Sequence, residues 1–199
     1  MDYADDVRMD HVDDLLAEWA AEWPSLDASP QAVVGRVSRL SRFFERDLVP
    51  VFNQFELTGG EFDVLATLRR KGRRPLTQTE LTKACMLSSA AMTNRIDQLD
   101  KAGLVQRVRD SVDRRVVFVA LTEPGRAVID KALIVHMNNE LEMLSGLTIP
   151  ERETLARLLK KLLIVHEDDL APSTPRETIA RPELPDLGGT PLNADAHHI

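Results

Sequence analysis

Residues 107–125 read RVRDSVDRRVVFVALTEPG, and the charged loop between the two valine-rich runs ends in paired arginines, Arg114 and Arg115. A guanidinium is a permanent cation with a rigid fork of donors, suited to phosphate and to the narrow, electronegative minor groove of A·T-rich DNA. Arg115 is the groove probe in this reading. Asp113, two residues earlier, orients it, and Arg114 is left for a backbone phosphate. The loop has no glycine, which suits a stiff tip. A second group lies in SSAAMTNR: Ser88, Ser89, Ala90, Thr93, Asn94 and Arg95. On a helix whose apolar stripe is Met92, Ile96 and Leu99, these side chains occupy the front face. They are small and polar, so a helix bearing them can enter a groove and hydrogen-bond there.

Other reactive residues are sparse. Cys85 is the only cysteine, so no internal disulfide forms. It reads as a small buried residue, with oxidation sensing as the alternative, although no nearby His or second Cys activates it. His11, His136 and His166 fall on helices without ligand spacing, and His197 and His198 are a weak metal signal; no cofactor or metal is expected. There is no nucleophile elbow, Gly-rich phosphate loop or HExxH motif, so an enzyme is not expected. The acidic start, MDYADDVRMD, is unlike a signal or transit peptide, and no apolar run reaches membrane-spanning length. A cytoplasmic protein with no membrane partner is the expectation.

The net charge of -7 conceals an uneven distribution. Residues 1–30 carry nine acids and one base, and residues 166–199 seven acids and two bases. Residues 69–115 carry twelve bases against five acids. Concentrated positive charge of this kind points to phosphate contact.

Several elements must position these groups. Val12, Leu15, Leu16 and Trp19 form one stripe of an amphipathic helix over 9–22, closed by Pro24. Ser29 and Pro30 open a long helix over 30–55, with Ser29 as cap and Pro50 expected to kink it or end its first part. Thr58 with Glu61, and Thr77 with Glu80, are capping-box pairs for helices over 58–70 and 77–84. Ser88 caps a helix over 89–102, and Gly103 stops it. The runs 104–109 and 116–121 read as a hairpin. Thr122, Glu123 and Pro124 start a helix over 123–146, and another spans 149–165; together they offer more apolar surface than one small domain needs. From 171 onward, Pro and Gly enrichment without aromatic residues predicts a disordered tail.

Helix, short helix, tight turn, helix and hairpin compose a winged helix-turn-helix, whose second helix enters a major groove. The fold class is therefore mainly α: a winged helix-turn-helix with a helical dimerisation region and an extra N-terminal helix. Three segments follow: an acidic extension over 1–30, a winged-helix and dimerisation domain over 31–165, and an acidic tail over 166–199.

The stretch Asp113-Arg114-Arg115, a β-strand, then Leu121-Thr122-Glu123-Pro124-Gly125 resembles the wing signature of the MarR family of bacterial transcriptional regulators. LTGGEFDVLATLRR and LTQTELTKACMLSSAAMTNRIDQLDKAGLVQR are similar to the same family, and the likeness covers about residues 31–165. It implies an obligate homodimer with intertwined first and last helices. It also implies binding to a pseudo-palindromic double-stranded DNA operator, usually as a repressor released by a small molecule.

A narrower likeness is to the urate-responsive branch, which has an extra N-terminal helix with a Trp, an Asp early in the helix before the DNA-reading pair, and an Arg in the recognition helix. Trp19, Asp63 and Arg95 match these positions. The likeness implies a planar, anionic effector such as urate. Trp19 would stack on it, Arg95 would neutralise it, and Asp63 would accept its N–H groups or hold Arg95. Alternatives are a different phenolic or carboxylate ligand, or oxidation sensing through Cys85.

Overall fold

The computed structural model describes residues 8–109 and 116–168. The expected wing-tip residues Asp113, Arg114 and Arg115, and the tail beyond 168, lie outside the described residues. Two units are resolved, divided between Thr148 and Ile149. The first contains α1 (His11–Glu22), α2 (Gln31–Asn53), α3 (Gly59–Arg70), β1 (Leu76–Thr77), α4 (Gln78–Ala84), α5 (Ser89–Lys101), β2 (Val105–Arg109), β3 (Val117–Leu121) and α6 (Glu123–Met143). The second contains α7 (Ile149–Asp168).

Local chemistry sets most of these boundaries. Thr58 accepts from the Glu61 N–H while Glu61 reaches back to the Thr58 N–H, and Thr77 and Glu80 do the same for α4. Each box satisfies two backbone donors that a helix start otherwise leaves orphaned. Ser88 and Thr122 cap α5 and α6 through their hydroxyls. At the other end of α5, Gly103 has φ +72, with the Leu104 N–H on the Leu99 carbonyl and the Gly103 N–H on that of Asp100. That is a Schellman end, in which glycine takes the left-handed position without steric cost.

Two expectations about α2 need correction. Pro30, not Ser29, occupies the N-cap position, and no side chain caps this helix; Ser29 instead donates its N–H to Asp27. Pro50 does not end the helix, which continues to Asn53. Pro50 lies in the last turn, so the one bond it removes, from its own nitrogen to the carbonyl four residues earlier, is lost near the helix end. The two-residue strand β1 is an addition. Leu76 pairs with Val119 and Thr77 with Phe118, completing a sheet of order β1-β3-β2. The hairpin register runs from Val105↔Leu121 to Arg109↔Val117.

The core of the first unit lies where α3, α5, α6 and the sheet meet. Val64, Leu65, Leu81, Met92 and Ile129 are fully buried, as are Ile96, Leu99, Val105 and Val119. Burying each such side chain contributes about 1.5–3 kcal/mol, so the framework under α5 is rigid. On α6 the buried positions Gly125, Ile129, Ala132 and His136 fall on one stripe.

The N-terminal helix docks on α2 through few groups. Val12 is its only buried residue and lies against Gly35. Arg36 pairs with Asp10 at 2.7 Å and Asp13 at 2.6 Å. Asp10 also caps α1 in a box with Asp13, and the Arg36 guanidinium holds its carboxyl below the usual range. Trp19 packs less than its place in the stripe suggested and remains 36% exposed.

Much apolar surface is left open. Val33, Val34, Val37, Leu40 and Phe43 of α2 are exposed, and within the second unit so are Leu158, Leu159, Leu162 and Leu163 of α7. Exposed apolar area on this scale marks an association surface.

Candidate functional site

Helices α4 and α5 form the helix-turn-helix pair. Ser89, Ala90, Thr93 and Asn94 are exposed on the first turns of α5, on the face opposite buried Met92, Ile96 and Leu99. Ser88 is also exposed, but its hydroxyl accepts the Ala91 N–H and serves as the cap. Thr93 donates to the Ser89 carbonyl and accepts from the Gln78 amide at 2.6 Å. Gln78 thereby ties α4 to the front of α5, a role that nothing in its sequence neighbourhood marks.

Arg95 departs from the front-face expectation. It is partly buried, and its Nε is enclosed without a hydrogen-bond partner among the described residues. It lies against the first turn of α3: a Cβ built on Gly60 would stand 2.8 Å from that Nε. The missing side chain at Gly60 is therefore what lets the arginine of α5 lie flat on α3.

The hairpin is fixed to α5 and α6 on two sides. Arg107 on β2 bridges Asp97 and Asp100 on the rear of α5, the latter at 3.2 Å. At the hairpin base, the Thr122 hydroxyl donates to the Gly103 carbonyl at 2.7 Å, and the Thr122 N–H to that of Leu104 at 3.1 Å. A Cβ on Gly125 would fall 1.8 Å from the Leu104 oxygen. The LTEPG stretch is thus a lock between wing and α6, and its glycine is required by close backbone approach.

A cavity of about 720 Å³ lies behind this pair. Its walls are α3 (Asp63, Thr67, Arg70), the α4–α5 turn (Cys85, Met86) and α6 (Leu133, His136, Glu140). His136 is 8% exposed, packed with its ring centroid 4.5 Å from Phe62 and 5.8 Å from Phe52. Its Nε2 is 3.0 Å from Glu140, while its Nδ1 is enclosed with no partner among the described residues. Asp63 opens to the cavity, yet the protein crowded around it raises its carboxyl above the usual range, against the pull of His136 and Arg70. Burial likewise pushes the Cys85 thiol up, opposed by Thr67 at 3.6 Å. A protonated thiol is a poor nucleophile, which weighs against oxidation sensing at this position.

Of the three residues expected to hold an effector, only Asp63 lines this cavity. Arg95 sits one turn before it along α3, at Gly60, and Trp19 stands apart on α1. Arg70 and His136 were not singled out from sequence: Arg70 is submerged in a basic run, and His136 has the spacing of a core residue. No group of three metal-ligating side chains occurs among the described residues. None of their helices is long and apolar enough to cross a membrane.

Comparison with known proteins places this geometry. A model of the MarR family matches residues 57–117, which run from the residue before the cap of α3 to the start of β3. Over 157 residues the chain is 36% identical to the HTH-type transcriptional regulator PecS of Dickeya dadantii (strain 3937), covering 78% of this chain and 95% of PecS. A crystal structure of a mutant MarR from E. coli complexed with operator DNA is 29% identical with a TM-score of 0.61, covering 69% of this chain and 99% of that one. BpsR of Bordetella bronchiseptica, whose structure is described as a mechanism for regulation of DNA binding by 6-hydroxynicotinic acid, is 26% identical with a TM-score of 0.60, covering 65% of this chain and 91% of BpsR. The exposed small and polar face of α5, the wing braced beside it and these likenesses together show that the chain belongs to the MarR family, as a DNA-binding transcriptional regulator of winged helix-turn-helix architecture and not an enzyme.

Proposed function

We propose that this regulator is a repressor that grips a pseudo-palindromic operator as a homodimer and is released by a small planar anion, urate or a close chemical relative. The observation that carries the effector reading is the shape of the 720 Å³ cavity, whose wall includes the α4–α5 turn itself. A ligand there touches the hinge of the DNA-reading pair, so any difference in fit between DNA-bound and free states becomes coupling between the two sites. The lining suits an amphoteric ring. Arg70 attracts an anionic oxygen, Asp63 accepts ring N–H groups, and the unpartnered His136 Nδ1 offers one more polar contact. Arg95 extends the coupling, because it joins α5 to the turn of α3 that precedes Asp63. Trp19, on the docked N-terminal helix, is assigned to effector stacking on sequence likeness alone.

For DNA, Ser89, Ala90, Thr93 and Asn94 face the major groove, with Ser88 supplying the cap at its edge. The wing delivers Arg115 to the minor groove, oriented by Asp113, with Arg114 on a backbone phosphate. The open apolar faces of α2 and α7 support dimerisation, and two copies of α5 then meet two half-sites about 34–36 Å apart.

A thermal-shift screen of urate, xanthine and related planar acids tests the effector reading. A ligand that prefers the native state raises the melting temperature; urate is expected to do so in the wild type and much less in Asp63→Asn. A panel without any shift, or an equal shift in that variant, contradicts the reading.

A further inference from the structure

The basic run RRKGRRP, residues 69–75, is only partly absorbed by the effector site. Its arginines separate in the fold. Arg69 pairs with Asp130 at 2.5 Å, and Arg70 lines the effector cavity. Gly72, at φ +73, follows in a left-handed turn, and Arg73 and Arg74 line a different cavity from Arg70. There they meet Arg126 of α6 in a second cavity of about 370 Å³, against Gln106 of β2, Ala120 and Leu121 of β3, and Glu123.

The three guanidiniums are far from saturated. Arg126 spends one N–H on the Gly72 carbonyl at 3.3 Å, and Arg74 one on Glu80 at 2.5 Å. Arg73 has no hydrogen bond or ion pair within the described residues. Each guanidinium carries five donors in a fixed fork. Three of them against two carboxylates, Glu123 in the lining and Glu80 on Arg74, leave the cavity with a net positive charge. Gly72 is required by its left-handed backbone at φ +73 and not by lack of room, since nothing lies within 4 Å of where its Cβ would stand.

The register places this cavity at the open end of the hairpin. Gln106 pairs with Ala120, whereas the wing tip lies beyond Arg109↔Val117, three residues or about 10 Å further along the strand. The base of the hairpin adjoins the C-terminal end of α5. The groove-facing residues begin at its other end, about 20 Å away for a helix of 13 residues. The cavity is therefore separated along both β2 and α5 from the residues assigned to the operator.

We infer that the Arg73–Arg74–Arg126 cavity is a second ligand site, which takes a small anion bearing two or more adjacent phosphate groups. Bidentate guanidinium–phosphate pairing supplies the recognition, and three separated forks fit a diphosphate or triphosphate better than a single phosphate. The anchoring of the site on β3 and the first turns of α6, beside the Thr122–Leu104 lock, gives an occupant a direct hold on the wing base. The same phosphate chemistry could come from the DNA backbone, and the two sources separate in the test.

Inorganic pyrophosphate is titrated calorimetrically into the full chain at fixed ionic strength, with sodium sulfate as control. The variants are R73Q, R73Q/R126Q and, as a matched surface charge change, K131Q. Pyrophosphate is expected to bind wild type and K131Q alike, at least tenfold more tightly than sulfate, and to lose tenfold or more affinity in R73Q/R126Q, with R73Q between. The salt dependence of operator binding is expected to be unchanged in R73Q/R126Q. Equal affinity for sulfate and pyrophosphate, or an unaffected double variant of normal melting temperature, overturns the site. A salt slope reduced by about one or more phosphates overturns it in favour of DNA backbone contact.

Discussion

Replacing Gly125 by alanine is the sharpest test of how the wing is held. The added Cβ would stand 1.8 Å from the Leu104 oxygen and 2.7 Å from its carbonyl carbon. Both are backbone atoms, so no side-chain rotation relieves the clash; the hairpin base and α6 must separate. Overpacking of this kind costs about 1–3 kcal/mol. Separation also stretches the Thr122 N–H bond to Leu104 and the Thr122 hydroxyl bond to Gly103, at 3.1 and 2.7 Å. Each contributes about 1 kcal/mol. The expected loss is therefore about 3–5 kcal/mol, or about 6–20 °C in melting temperature at the size of this domain. The assay is thermal denaturation at one fixed protomer concentration, since a dimer melts in a concentration-dependent way. Operator affinity is expected to fall together with stability, because the wing loses its base. A melting temperature within 1 °C of wild type would refute the close-approach argument.

Three further perturbations follow from the same structure. Arg107→Gln removes two partly exposed ion pairs, each worth about 0–1 kcal/mol; fluorescence anisotropy is expected to show a larger loss of operator affinity than chemical denaturation shows of stability, and equal losses contradict a positioning role. Met86→Gly relieves a left-handed residue at φ 52, where a side chain costs about 1–2 kcal/mol. After the unfolded-state entropy of glycine is deducted, a net gain of up to about 1 kcal/mol in urea denaturation is expected, and a net loss contradicts it. Asp63→Asn is expected to raise the melting temperature near neutral pH. Crowding raises this carboxyl in the folded state, so the folded protein is penalised as pH rises through the carboxylate range. The advantage of asparagine should vanish below that range, where both side chains are neutral; an advantage that grows on acidification contradicts the sign.

The parts of the fold legible in the sequence are those written in local chemistry. Thr58 with Glu61, Thr77 with Glu80, and Gly103 after α5 each act within a few residues, and all three boundaries stand where their spacing puts them. Elements held by distant partners were not legible. Leu76 and Thr77 form a strand only because β3 lies beside them, and two residues carry no periodicity. The N-terminal helix itself was legible from its stripe, but its docking was not: Asp10 caps α1 while also binding Arg36, 26 residues away. Ser29 and Pro50 show the reverse failure: both have strong local signals, and the long amphipathic α2 forms regardless. At the site, the small and polar face of α5 was visible as a pattern. Arg95 was not placed correctly on that face, because Gly60, 35 residues earlier, offers it a seat that no helical wheel contains. His136 read only as a helix histidine without ligand spacing; its burial, and the cavity that gives meaning to an Nδ1 unpartnered among the described residues, come from the packing of distant elements.

If a ligand in the α3–α6 cavity controls the hold of α5 on DNA, urate must displace a bound operator. Fluorescence anisotropy of a labelled operator duplex bound by the full chain, titrated with urate at constant salt, measures this. Wild type is expected to release the operator, and Asp63→Asn, whose DNA affinity without ligand stays near normal, to require a dose at least tenfold higher. Release at the same urate concentration in both proteins would contradict such control, because the effector would then be acting somewhere other than this cavity.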